Sequence, residues 1–358
     1  MGVASPCLEY PICKNAVQLA QAKGLQQEPS ASWGLSPADL LSRNWLWWTI
    51  YIIEKQMSLR SGRPSSIDDN DISTPIPTTA PPGSGLDVEM VTLIIKHAQI
   101  CSQVMTRIMS VKASKQGFDR AYDTVQDIQT QLEDLLQKIP SSLGDGATPA
   151  TSLSINRCLL RSYLYSDVYS TMMATHVIFF YPWISSSLRS NGNQLFREQS
   201  AVSANTIAYS ARQIILQLKS QRLDVSSFLW TTFFHPMNAY INLFLYVLKE
   251  PDAPTARGDL ALLNVVAGHF GQLEHVTAGM LSFDFPRDCN SLCLRTVRAT
   301  KNSRSEAFTV PATPQSLRDE PTRDNGILNG YSDANVRMTS SASDNVVGSV
   351  IYLTKEYS

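Results

Sequence analysis

Few residue types able to do chemistry are grouped along this chain. Asp68-Asp69-Asn70-Asp71 is the densest run of oxygen ligands. It fails the test for a calcium loop: counted from Asp69, the position that needs glycine holds Thr74, and the closing glutamate position holds Ala80. Short Asp and Asn side chains in such a run bond to nearby backbone instead, so a braced loop is expected. The five histidines are His97, His176, His235, His269 and His275. No His-Glu-x-x-His occurs, and His269 and His275 are six apart, a poor helical spacing for joint ligation. They read as isolated, partly buried polar residues. The six cysteines, Cys7, Cys13, Cys101, Cys158, Cys289 and Cys293, include no Cys-x-x-Cys pair. Tetrahedral zinc needs four ligands, usually supplied by such tight pairs. No Gly-x-Ser-x-Gly elbow and no phosphate-cradling glycine loop appears, and Gly258, Gly268 and Gly271 are too sparse for one. The reading is a non-enzyme with no catalytic, cofactor-binding or metal-ligating residue of its own.

Composition narrows the class further. The 358 residues are 43% hydrophobic and only 17% charged, enough to bury a real core. A net charge of −1 lacks the basic footprint of a stand-alone nucleic-acid binder. Arg295, Arg298, Lys301 and Arg304 recur every three residues, and read as a solvated final turn rather than a phosphate-contacting stripe. Residues 1–30 show no secretory signal, so the thiols are expected to be reduced and mostly buried. Trp45–Ile53 and Val177–Ile184 are the nearest approaches to a membrane span, and both are too short.

The elements that must position these residues are helices. The spacing predicts a short helix over 14–25 ended by Gly24, and a second from about Pro37 to Arg60, with Ser36 as N-cap and Gly62-Arg63-Pro64 as its stop. That second helix is apolar around most of its circumference between Trp45 and Ile53, so it is expected to be buried. The tryptophans read as core rather than as a ligand box. Arg63 is a candidate partner for Asp68, Asp69 or Asp71. Further helices are predicted over 87–112, 118–139, from Thr151 or Ser152 to about Phe180, over 198–220, 236–249 and, as the last, 257–282. No strand alternation occurs before residue 305. From about Ser305 the chain turns to Ser, Thr, Asn, Asp and Pro and is expected to be disordered, with an apolar patch at Val346–Leu353.

Ala16-Val17-Gln18-Leu19-Ala20…Gly24-Leu25, Trp47-Trp48…Tyr51, Leu59-Arg60-Ser61-Gly62-Arg63-Pro64 and Ile67-Asp68-Asp69-Asn70-Asp71-Ile72…Pro77 occur in this order. Together they resemble the signature of the regulatory, or middle homology, domain of fungal-specific zinc-cluster transcription factors. Leu132–Pro140 and the Phe244–Pro251 and Asp259–Leu263 segments resemble its later helices. The resemblance covers roughly residues 10–285 and is most specific over 16–77. Its signature positions are Trp47, Trp48, Tyr51, Arg60, Gly62, Arg63, Pro64, Asp68, Asp69, Asp71 and Pro77.

The resemblance implies an all-α regulatory domain over 1–300, N-terminally incomplete, followed by a low-complexity tail over 301–358. It implies a nuclear transcription regulator, one that controls metabolic or secondary-metabolite gene clusters. Promoter DNA is a partner by resemblance, and zinc a cofactor only if a zinc cluster lies upstream. Transcription machinery or a regulator partner, a small-molecule effector and a second copy of the chain complete the partners it allows, with no membrane. Asp344–Tyr357, acidic and apolar, is the candidate contact with transcription machinery. The rival reading is a helical ligand-binding or protein-interaction module, a co-regulator or dominant-negative partner without DNA contact.

Overall fold

A computed structural model of the chain describes residues 6–140, 152–185, 188, 194–220, 230–279 and 282–308. Among them are ten α-helices and no strand. In order these are α1 (Pro6–Ala22), α2 (Pro37–Ser61), α3 (Val88–Val104), α4 (Phe118–Lys138), α5 (Ser152–Phe180), α6 (Pro182–Ser185), α7 (Gln194–Gln217), α8 (His235–Lys249), α9 (Ala256–Val276) and α10 (Phe285–Phe308). Two compact units divide the chain at Arg298/Ala299, and of the second only the last turns of α10 are described. Residues 301–308, expected to belong to the tail, continue α10, and the rest of the tail, including Val346–Leu353 and Asp344–Tyr357, lies outside the described residues.

In the first unit, α2 packs on α1 and α3, α3 also on α4 and α5, α5 on α7, and α8 on α7 and α9. A large apolar cluster holds α3, α4, α5, α7, α8, α9 and α10 together around residues such as Ile128, Leu164, Phe179, Ile207, Tyr240, Phe244 and Phe270. A smaller one joins α1, α2 and α3 through Val17, Ala20, Trp47, Trp48, Tyr51, Ile95 and Ala98.

The predicted boundaries hold where local chemistry sets them. The Ser36 hydroxyl accepts from the Asp39 N–H with Pro37 in the first turn, and Gly62 closes α2 in the left-handed region at φ +63°. The Arg63 N–H then bonds back to the Ser58 carbonyl at 3.2 Å. Gly24 ends α1 in the same way, at φ +62°.

Four expectations are corrected. The first helix begins at Pro6 and not near residue 14, carrying Pro11 inside it. α2 is not buried all round: Leu46 is 52% exposed and Ile53 is 37% exposed. The predicted 87–112 helix leaves the α ladder at Met105, where a wider π turn runs to Met109. The 257–282 helix stops at Val276 and is not the last, because α10 follows. Its buried positions, Cys289, Cys293 and Val297, are small and sparse, which hides the period in a mostly polar sequence.

Candidate functional site

α2 presents two polar constructions, one to the loop that follows it and one to the interior. The first gathers the signature stretch. Lys55 is 1% exposed, and its ammonium donates to Ser65 Oγ at 3.0 Å, the Ile67 carbonyl at 2.7 Å and Ser102 Oγ at 3.0 Å. Those three acceptors use its three N–H bonds. Asp69 Oδ1 lies 3.0 Å from the same nitrogen and also accepts from the Tyr51 hydroxyl at 3.0 Å. Burial, then the Asp69 charge and hydrogen bond, push the Tyr51 phenol well up, so it stays a donor. One turn away, buried Glu54 accepts from Ser65 Oγ at 2.8 Å and from the Ser66 N–H at 2.6 Å.

The remaining signature residues frame this clasp. Trp47 is wholly buried, and the Trp48 indole N–H donates to the Pro75 carbonyl at 3.0 Å. The Pro64 carbonyl accepts from Tyr10 and Lys14, and Arg63 stacks over the Tyr10 ring at 4.6 Å. Asp68 caps a 3₁₀ turn over Asp69–Asp71, accepting from the Asn70 N–H at 3.0 Å. Pro77 is buried at the loop's exit. Asp69, one of the acids considered for Arg63, is held by Lys55 and Tyr51.

The second construction is a cavity of about 180 Å³ lined by α2, α3, α5 and α8. Each helix supplies residues three or four apart: Gln56, Leu59 and Arg60; His97 and Cys101; Asp167, Ser170, Thr171, Ala174 and Val177; His235, Asn238 and Asn242. Two π turns, Met105–Met109 and Trp230–Phe234, bring Met109 and Phe234 to its wall. Such widened turns are frequent at functional sites.

Its floor is the carboxylate of Asp167, 4% exposed. Gln56 Nε2 donates to Oδ2 at 2.6 Å, and the Tyr163 hydroxyl donates to Gln56 Oε1. His235 Nε2 is 3.1 Å from Oδ1, a contact without full hydrogen-bond geometry. His97 Nδ1 is 3.9 Å from Oδ2. Each imidazole is held from behind by a hydroxyl: His235 Nδ1 by Ser170 at 2.8 Å, His97 Nε2 by Thr171 at 2.9 Å. Burial alone would raise the Asp167 carboxyl. The His235 contact, with the charges of His235, His97 and Arg60, outweighs burial and holds it at about 2. Burial lowers His97 against the pull of Asp167, and burial pushes the Cys101 thiol well up, so that thiol is inert.

The histidines are therefore not all isolated, as their spacing in the sequence suggested: the fold places His97 and His235 on either side of Asp167. Ser170, His235 and Asp167 also form a serine–histidine–carboxylate row, but Ser170 lies inside α5, where backbone N–H groups belong to the helix ladder and not to an oxyanion hole. One signal in the sequence marks the cavity. The middle of α5 carries Ser166, Asp167, Ser170, Thr171, Thr175 and His176, a polar series buried within an otherwise apolar helix. Polar groups on a buried face need partners, which here come from five other helices, α2, α3, α4, α7 and α8.

Among the described residues, no group of three or more His, Cys, Asp or Glu is placed to hold a metal ion. Cys289 and Cys293 sit one turn apart on α10, both buried, and Cys13 and Cys101 are buried elsewhere. These thiols do not fit the zinc cluster of the family resembled. Cys158 is exposed. Among the described residues, no helix is long and apolar enough to cross a membrane.

Residues 6–138 match the family described as "Fungal specific transcription factor domain". An "ABC-transporter-regulating transcription factor" of Aspergillus oryzae is 24% identical over 348 residues, covering 91% of this chain and 39% of that protein. Its namesake from Aspergillus fumigatus is 25% identical over 287 residues, 76% of this chain and 32% of that protein. An uncharacterized transcriptional regulatory protein of Schizosaccharomyces pombe is 24% identical over 302 residues, 77% of this chain and 44% of that protein. The chain thus spans less than half the length of these curated relatives. No solved structure matches it. The clasp of α2 on its loop lies wholly within the stretch that resembles that family.

Proposed function

We propose that this chain regulates transcription in the nucleus through its helical domain and that transporter or other metabolic genes are among its targets. The observation that supports this most is the reach of the similarity. It continues past residue 138 across 91% of the chain, in a relative named as a transcription factor that regulates ABC transporters. The similarity therefore spans the stretch of sequence that forms the whole helical body. In this reading α2 is the frame of a regulatory domain, the domain is not an enzyme, and contact with promoter DNA is made through a zinc cluster elsewhere or through a partner.

The test separates regulation from DNA contact. The full chain is fused to an unrelated DNA-binding module in a fungal reporter strain. A change in reporter output of several-fold, up or down, is expected. Unchanged output from a fusion shown to be expressed and nuclear overturns the reading. A gel-shift assay of the unfused chain with zinc and a transporter promoter fragment, at low and high salt, then decides whether this chain touches DNA unaided.

A further inference from the structure

The cavity between α2, α3, α5 and α8 has more construction than packing requires. Its volume, about 180 Å³, exceeds that of an engineered cavity of roughly 150 Å³ that takes up benzene. One substituted ring fits it. Leu59, Met173, Ala174, Val177 and Phe234 give it an apolar wall, and Asp167, His235 and Arg60 give it a polar one. Among its lining residues Met109, Val177, Tyr181 and Asn238 are partly or fully exposed, whereas His97, Asp167 and His235 are buried.

Two features of the floor point to an occupant. His235 Nε2 is buried and lines the cavity, and its 3.1 Å approach to Asp167 Oδ1 lacks the geometry of a full hydrogen bond. A buried polar atom so poorly satisfied costs free energy that a better partner recovers. Asp167 accepts a full hydrogen bond from Gln56 and contacts from His235 and Tyr163, on a group that accepts up to four. A donor and an acceptor side by side on a ligand would complete both, the donor on Asp167 and the acceptor on His235. Charge argues for neutrality. The Asp167 carboxylate disfavours an anion, the Arg60 guanidinium on the same wall disfavours a cation, and either would have to shed its water on entry.

We propose that this cavity binds a neutral molecule of one-ring size bearing a paired hydrogen-bond donor and acceptor, of the carboxamide or lactam class. The ring lies on Leu59, Met173, Val177 and Phe234, and the polar edge on Asp167 and His235. The inference deepens the regulatory reading by naming what the domain would sense. It is tested by binding alone, so its failure leaves the reporter result standing, and the reverse.

The experiment is ligand-observed NMR on the full chain with three probes of one shape: benzamide, benzoate and toluene. Benzamide is expected to bind with a Kd of about 1 mM, ordinary for a ligand of this size. Benzoate and toluene are expected to bind roughly tenfold more weakly or worse. Ala174→Leu, which fills the cavity from the α5 side, is expected to abolish benzamide binding. Val177→Phe, which fills the cavity from another lining position of α5, does the same should the first variant not fold, with helical circular dichroism confirming that each is intact. No benzamide signal at about 10 mM overturns the proposal. So does equal binding of all three probes, a preference for benzoate, or benzamide binding that survives in a folded cavity-filling variant.

Discussion

Two sides of α2 solve the same problem differently. Both bury charged groups. On the loop side, each N–H of Lys55 has an acceptor, and Glu54 and Asp69 are held by hydroxyls, an amide and the ammonium. On the interior side, Asp167 is ringed by Gln56, His97 and His235, yet His235 Nε2 meets it without full hydrogen-bond geometry and about 180 Å³ of space remains beside them. A buried charge is tolerated when paired and hydrogen-bonded, and strongly destabilising when stripped of its partner. The loop side is thus built to be held in one state. The interior side is built to be completed by something else.

Mutations separate the two. Trp47→Ala removes a side chain with no exposure from the small cluster of α1, α2 and α3, and is expected to cost about 3–5 kcal/mol in urea unfolding. Lys55→Met keeps the bulk but leaves the Ile67 carbonyl and two hydroxyls without their donor. A loss of roughly 2–4 kcal/mol is expected, and a loss below about half a kcal/mol would show that the clasp is not held by this ammonium.

Acid acts from the interior side. His176, on α5, is lowered to about 4 by burial, with Ser203 at 2.9 Å and Gln129 at 3.1 Å on its two nitrogens. The unfolded chain takes up that proton near pH 6.5 and the folded one only near 4, so protons favour the unfolded state. Stability is full above about pH 6.5 and falls by about 2–3 kcal/mol on the way down to 4. His97, also lowered by burial, adds loss of the same sign below about pH 6.5. His176→Gln should flatten this limb in thermal melts across that range, and an unchanged slope would assign the acid loss to other groups.

Gly62→Ala is the mildest change. No atom lies within 4 Å of the added Cβ, so only the left-handed backbone is penalised, by about 1 kcal/mol. Gly62→Val, with a branched side chain there, should cost more, and a melting temperature unchanged by both would remove the conformational argument.

The same comparison explains what could be read from the sequence. The clasp is local. Residues 45 to 77 hold a helix, its cap, its glycine stop and the acids of its loop, and each is a short-range signal. The exception is Lys55, which looks like any solvent-facing lysine until Ser65, Ile67 and Ser102 converge on it. The cavity is assembled from positions 56, 97, 167 and 235, each unremarkable alone. No spacing rule connects them, because their proximity is decided by how α2, α3, α5 and α8 pack. α10 stayed hidden for a related reason: small cysteines, not large aliphatics, mark its buried face.

The Lys55 ammonium has a consequence in time as well as in energy. It ties residues 65, 67 and 102 to one point on α2, while Glu54 holds the Ser66 amide and Ser65 Oγ holds the Ile67 amide at 3.1 Å. The stretch after Gly62 has the shape of a loop, but its amide hydrogens cannot reach solvent without breaking that knot. In hydrogen–deuterium exchange, Ser66 and Ile67 should exchange together with the core of α2 and in a single opening event. The exposed amides of the 78–86 segment should exchange long before them.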